Sequence, residues 1–251
     1  MITKYPETRL LRDRSGDTAG GGENAMRYGT VIPGRFVDRP NRFVARVETA
    51  EGMRTVHVKN TGRCRELLIP GAVVYLERGE NPGRKTAFDL IAVEKGERLI
   101  NMDAQAPNKI FGEWVRGGGF LPGITAVRPE FTYGESRLDF CLETAEGPCL
   151  VEVKGVTLEE NGAARFPDAP TERGVRHIRE LRRAAEAGWG AVLFFVVQME
   201  NIISVAPNDE THPAFGAALR EAAERGVRVC AWDCAVTPES IAIRRQVPVI
   251  L

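Results

Sequence analysis

The sequence predicts an α/β (α+β) chain of two domains, a small β-barrel followed by a mixed sheet flanked by helices. Three observations point there. Between Thr30 and Ile100 the apolar residues come in short alternating stretches with no clear helix between them. After Pro107, helix-length segments alternate with strand-length ones. From Gly190 to Gln198 runs one continuous apolar, β-branched and aromatic segment, the mark of a strand covered on both faces. At 251 residues the chain is long enough for each domain to bury its own core.

Residues 1–26 are polar and nearly free of apolar periodicity, ending in Gly-Asp-Thr-Ala-Gly-Gly-Gly-Glu-Asn-Ala-Met. A flexible tail is expected, with Met26 a second candidate start. The barrel is expected over residues 27–104. Phe43, Ala45 and Val47 share one strand face, with Arg42, Val44 and Arg46 on the other. Val56 and Val58 follow, then Ala72–Leu76 and Phe88–Val93, with Gly52, Pro70-Gly71 and Pro82-Gly83 as turns. An oligonucleotide-binding (OB) type of barrel is the natural candidate, although the pattern itself does not choose among barrels.

The second domain is expected over residues 105–251. A helix over Asn108–Arg116 stops at Gly117-Gly118-Gly119, and strands follow near Pro129–Tyr133, Ser136–Leu142 and Cys149–Val156. A Thr-capped helix over Thr171–Ala187 carries Val175, Ile178 and Leu181 on one face. After the buried strand come a helix over Pro213–Arg225, with Gly226 as its stop, and a strand over Val227–Trp232.

Lys+Arg and Asp+Glu each number 34, so net charge says nothing about partners, but its distribution does. Residues 27–100 hold 14 basic against 9 acidic side chains, whereas residues 101–251 hold 16 against 21. The first half attracts phosphate and the second cations. Five cysteines form no CxxC, which fits a reducing cytoplasm; zinc at Cys230 and Cys234 would need two further ligands, and two buried thiols is the simpler reading. The longest apolar run, Ala191–Val197, is too short for a membrane span, and the N-terminus lacks a signal-peptide core.

The chemistry concentrates on Leu138-Asp139-Phe140 and Val151-Glu152-Val153-Lys154. On a strand, Glu152 and Lys154 point the same way while Val151 and Val153 face the core. A hairpin turning at Glu146-Gly147 would set Asp139 opposite Lys154, with Glu152 its diagonal neighbour. Two readings fit. One is a cross-strand ion pair of Asp139 with Lys154. In the other, the two carboxylates hold Mg²⁺ (or Mn²⁺) and Lys154 supports phosphodiester hydrolysis. Spacing favours the first, and the apolar setting of Glu152 the second.

Phe166-Pro167-Asp168-Ala169-Pro170 leads into a helix whose N-terminus can hold phosphate, with Arg173 and His177 four apart on one face. A capping loop and a solvated helix face is the alternative there. Gln198 either enters the same cleft or satisfies backbone. In the barrel, Arg35, Arg39, Arg42, Arg46, Lys59, Arg63 and Arg65 are interleaved with Phe36, Asn41 and Phe43, a composition suited to nucleic-acid backbone and bases. Phe43 is expected in the core, since it shares its face with Ala45 and Val47.

Seven blocks occur in order: Gly34-Arg35-Phe36 with Asn41-Arg42-Phe43, Asn60-Thr61-Gly62-Arg63, Arg84-Lys85-Thr86, Asp89-Leu90, Ser136-Arg137-Leu138-Asp139-Phe140, Val151-Glu152-Val153-Lys154, and Phe166-Pro167-Asp168-Ala169. In these the chain resembles the sugar fermentation stimulation protein family over nearly everything after Met26. The resemblance implies an N-terminal OB barrel joined to a restriction-endonuclease-like domain, DNA or RNA as partner, and a metal-dependent nuclease; a DNA-binding regulator that keeps the nuclease fold is the alternative. It places catalytic roles on Asp139, Glu152 and Lys154, and metal ligation on Asp139, Glu152 and the helical acid Glu113; the basic residues themselves put the nucleic-acid contacts on Arg35, Arg42, Lys59, Arg63 and Arg173. Lys59, Gly155 and His212 depart from the family pattern, which is expected to carry proline, serine and aspartate there.

Overall fold

A computed structural model describes residues 25–251 apart from 61 and 82, so the expected tail lies outside the described residues up to residue 24. The first strand, β1 (Met26–Arg27), joins the sheet of the second domain rather than the barrel.

The barrel is made of β2 (Val31–Asn41), β3 (Val44–Thr49), β4 (Gly52–Val58), β5 (Val73–Arg78) and β6 (Phe88–Lys95). Neighbours pair in the order β4-β3-β2-β5-β6, and a parallel β4–β6 contact at His57/Asp89 and Val58/Leu90 closes the ring. A closed five-stranded barrel of OB type follows. β7 (Arg98–Asn101) extends it from β6. The 11-residue β2 was not foreseen as a strand, because its polar and turn-forming residues break the alternation; register shifts between Phe36 and Asp38 and between Asp38 and Asn41 let it bend to serve both β3 and β5. Ala45, Val47, Val56, Val74, Leu76 and Leu90 fill the interior.

Phe43 departs from expectation. It is 46% exposed, since the Asn41 side chain accepts the Phe43 N–H at 2.9 Å and turns the chain before β3 begins at Val44. The Arg42 guanidinium lies over its ring, 4.8 Å from the centroid.

The second domain opens with α1 (Ala106–Arg116), then β8 (Ala126–Tyr133), β9 (Ser136–Thr144) and β10 (Gly147–Val156) as an antiparallel meander. β11 (Leu158–Glu160) and β12 (Ala163–Phe166) follow, and α2 (Glu172–Glu186) crosses to β13 (Gly190–Val197), parallel to β10. β14 (Ser204–Pro207) and α3 (Pro213–Glu224) lead to β15 (Arg228–Thr237), parallel to β13, and β16 (Ser240–Val247) folds back on it. The sheet order is β1-β16-β15-β13-β10-β9-β8, with β11-β12-β14 a separate small sheet. β11, β12, β14 and β16 were not anticipated, being short or mixed in polarity.

Every residue of β13 is buried, as its composition predicted. One face of the sheet packs Phe140, Phe194 and Trp232 against Phe111 of α1. The other packs Leu193, Phe195 and Val197 with Ile178 and Leu181 of α2 and Phe215 of α3, and that cluster runs on into the barrel core. Cys230 and Cys234 are buried free thiols, and among the described residues no three His, Cys, Asp or Glu side chains gather around them. Among the described residues no helix is long and apolar enough to cross a membrane.

Polar contacts lock barrel to sheet. Gln198, just past β13, donates through Nε2 to Asn101 Oδ1 and to the Asp103 carbonyl, both at 3.0 Å. Glu159 of β11 pairs with Lys95 at 3.2 Å and Arg98 at 3.1 Å.

Candidate active site

β9 and β10 run as a pair only as far as Phe140/Val151. The hairpin turns on Ala145-Glu146, since Thr144 faces Gly147, one residue earlier than the sequence reading placed it. Continued past Phe140/Val151, this register would set Asp139 across from Glu152, not Lys154. The strands part at that point: β10 stays paired to β13 through Val156, and the N–H of Val153 instead donates to Asp139 Oδ2 at 2.8 Å. The other Asp139 oxygen accepts from Asn108 Nδ2, at the start of α1, at 2.8 Å.

Among the described residues no ion pair joins Asp139 to Lys154; Lys154 pairs with Glu152, two residues before it on the same face. Glu152 is 2% exposed. Its Oε1 collects both the Lys154 ammonium and Nδ1 of His177, which α2 lays over the sheet. Its Oε2 is buried and takes no hydrogen bond among the described residues. Burial pushes the Glu152 carboxyl up, but His177 and Lys154 outweigh it and hold the group below the ordinary glutamate range. Asp139 goes the other way: burial, and then the charge of Glu152, raise its pKa, against the Val153 N–H, Lys154 and Asn108. An ionised carboxylate with a bare oxygen thus stands near a second carboxyl that resists ionising, and a cation between them would relieve both.

The remaining expected residues divide. Glu113 lines the hollow beside α1 that also holds Asn108, Lys109 and Asp139, yet no three His, Cys, Asp or Glu side chains gather as a metal cluster among the described residues. Arg173 reaches the site through His177, donating from Nε to its Nε2 at 3.3 Å. Arg35, Arg42 and Arg63 are exposed on the barrel. Arg39 organises that surface, its guanidinium donating to the carbonyls of Arg42, Asn60, Gly62 and Arg63. Lys59 does not join them. Its ammonium turns inward to Glu77 at 3.1 Å, Asp103 at 3.3 Å and Asp89 at 3.6 Å, because three carboxylates converge there and need a cation.

A cleft of about 340 Å³ lies between barrel and α2, lined by Asn60, Gly62, Gly155, Asp168, Thr171 and Gln198 among others. Gly62 and Gly155 sit at close approaches: a Cβ at Gly62 would stand 2.4 Å from Asp168 Oδ2, and one at Gly155 2.5 Å from Gln198 Oε1 and 2.7 Å from Pro107 Cγ. His212 accepts the Thr171 N–H at 3.3 Å and faces Glu172 at 3.2 Å, tying the start of α3 to that of α2. Sequence reasoning placed His177 on the right helix face but not against Glu152, and it did not assign Asn108; neither contact leaves a signal in local spacing.

Comparison with known proteins bears directly on this arrangement. Residues 37–102 match the family model of the SfsA N-terminal OB domain, and residues 105–240 that of the sugar fermentation stimulation protein RE domain. The chain belongs to the sugar fermentation stimulation protein family. Family homologues from Clostridium beijerinckii and Ruminiclostridium cellulolyticum are 50% and 53% identical over 226 residues, 90% of this chain and the whole of each relative. A solved structure described as Pyrococcus furiosus SfsA in complex with Ca²⁺ superposes with a TM-score of 0.82 at 31% identity, covering 90% of this chain and 98% of that one. The family fold therefore extends over both the barrel and the sheet that carries Asp139, Glu152 and Lys154.

Proposed function

We propose that the protein binds DNA or RNA across its barrel and cleaves phosphodiester bonds at Asp139, Glu152 and Lys154 with Mg²⁺ or Mn²⁺. The observation that carries this reading is the bare, buried Oε2 of ionised Glu152 near Asp139. A carboxylate oxygen left without a partner in a protein interior is costly unless it has a ligand. Hard oxygen donors and only two carboxylates suit Mg²⁺, which keeps several waters. The relative solved in complex with Ca²⁺ supports a divalent cation in the family.

Asp139 and Glu152 would hold the ion, which when bound supplies charge stabilisation and an acidified water. Asn108 and the Val153 N–H orient Asp139. Lys154 pairs with Glu152 and helps hold it ionised, and in this reading its ammonium would also offset charge developing on the phosphate. Arg42 and Arg63 offer phosphate contacts on the barrel, and exposed Phe43 offers a face for a base to stack on. Five free, buried cysteines fit a reducing cytoplasm as the place of work.

The test is incubation of purified protein with single- and double-stranded DNA and RNA, with Mg²⁺, with Mn²⁺ and with chelator. Metal-dependent cleavage that disappears in Lys154→Ala and Asp139→Ala is the expected result. Binding without cleavage in wild type and variants alike would replace the enzyme with a DNA-binding regulator on a nuclease fold.

A further inference from the structure

Helix α2 does more than cover the sheet. It inserts His177, 5% exposed, so that Nδ1 meets Glu152 Oε1, the same oxygen that Lys154 takes. Because Nε2 of that ring accepts from Arg173 one helical turn earlier, the network assigns the proton to Nδ1, which donates to the carboxylate. Both donors thus fall on one oxygen, and the other is left bare. An arrangement built only to neutralise a buried glutamate would satisfy both oxygens, since each bare one costs free energy.

Resting on the metal-site reading above, we infer that His177 is a positioning residue: its Nδ1–H pins Oε1 of Glu152 and so presents Oε2 to a divalent cation, with Arg173 fixing the tautomer. Partners of this kind around a metal ligand set its orientation, and losing one costs about 10- to 100-fold in metal affinity. Geometry separates this role from simple packing. An asparagine at 177 places its amide N–H close to the position of Nδ1, whereas glutamine places it close to that of Nε2 and away from Glu152.

The experiment is Mn²⁺ binding to the full chain, without nucleic acid, followed by electron paramagnetic resonance for wild type, His177→Ala, His177→Asn, His177→Gln and Asp139→Asn. Expected are a weakening of about 10- to 100-fold in His177→Ala, a return to within a few-fold of wild type in His177→Asn, and no such return in His177→Gln. Should the alanine variant fail to fold, the asparagine-to-glutamine contrast carries the test alone. Wild-type affinity in His177→Ala, or equal affinity in the asparagine and glutamine variants, would overturn the positioning role while leaving the metal site standing. Wild type that binds no Mn²⁺, or binds it undiminished in Asp139→Asn, would overturn the metal site and this role together.

Discussion

The carboxylate of Asp139 takes the backbone N–H of Val153 at 2.8 Å, standing where a paired strand would otherwise supply a carbonyl. The parting of β9 from β10 is thereby made compatible with a buried peptide group, and Asp139 is a structural residue as well as a candidate ligand.

Asp139→Ala should therefore lose stability as well as function. An orphaned buried N–H costs about 1–3 kcal/mol, to be read from urea denaturation. Asp139→Asn keeps an acceptor for Val153 and should unfold nearer to wild type, yet it should lose metal-dependent cleavage as completely as the alanine variant. Equal stability of wild type and Asp139→Ala would mean that the Val153 N–H finds another partner.

Gly155 is pinned between Gln198 and Pro107, at 2.5 Å and 2.7 Å from where its Cβ would be. Gly155→Ser should force Gln198 from its bonds to Asn101 and Asp103 and cost about 1–3 kcal/mol in overpacking. Thermal unfolding measures this. Adding Gln198→Ala should make the serine less costly than it is alone, because the closer of the two clashes is then gone while that with Pro107 stays.

On the barrel, exposed Arg42 and Arg63 should behave unlike inward-facing Lys59. Replacing both arginines by alanine should weaken nucleic-acid binding and lower the salt slope by about 2, one for each phosphate no longer neutralised. Lys59→Ala should leave the slope unchanged and lower stability instead, since Glu77, Asp89 and Asp103 lose their shared cation. Fluorescence anisotropy over a salt series separates the two.

Asp89 gives a pH dependence. Burial raises its carboxyl, but Arg84, His57 and Lys59 together hold it below the ordinary aspartate range. A depressed pKa in the folded state contributes stability that is complete above the unfolded value and fades as pH falls through the folded one. Asp89→Asn should cost about 1.5–3 kcal/mol at neutral pH. In denaturation at a series of pH values, that gap should hold down to about pH 4 and close below it.

The sequence by itself determined four of the barrel's five strands, the central strand β13, the three helices and the face shared by Glu152 and Lys154, because periods of 2 and 3.6 residues record burial locally. It misjudged Phe43, because a turn made by Asn41 overrides strand alternation, and it missed β2, whose bulges blur the period. Tertiary structure alone decided what Asp139, His177 and Lys59 touch. A turn one residue earlier than expected gave Asp139 the N–H of Val153 in place of Lys154, and packing of α2 on the sheet brought His177 to Glu152, 25 positions away in the chain. Such contacts depend on register and on helix placement, which no window of neighbouring residues encodes.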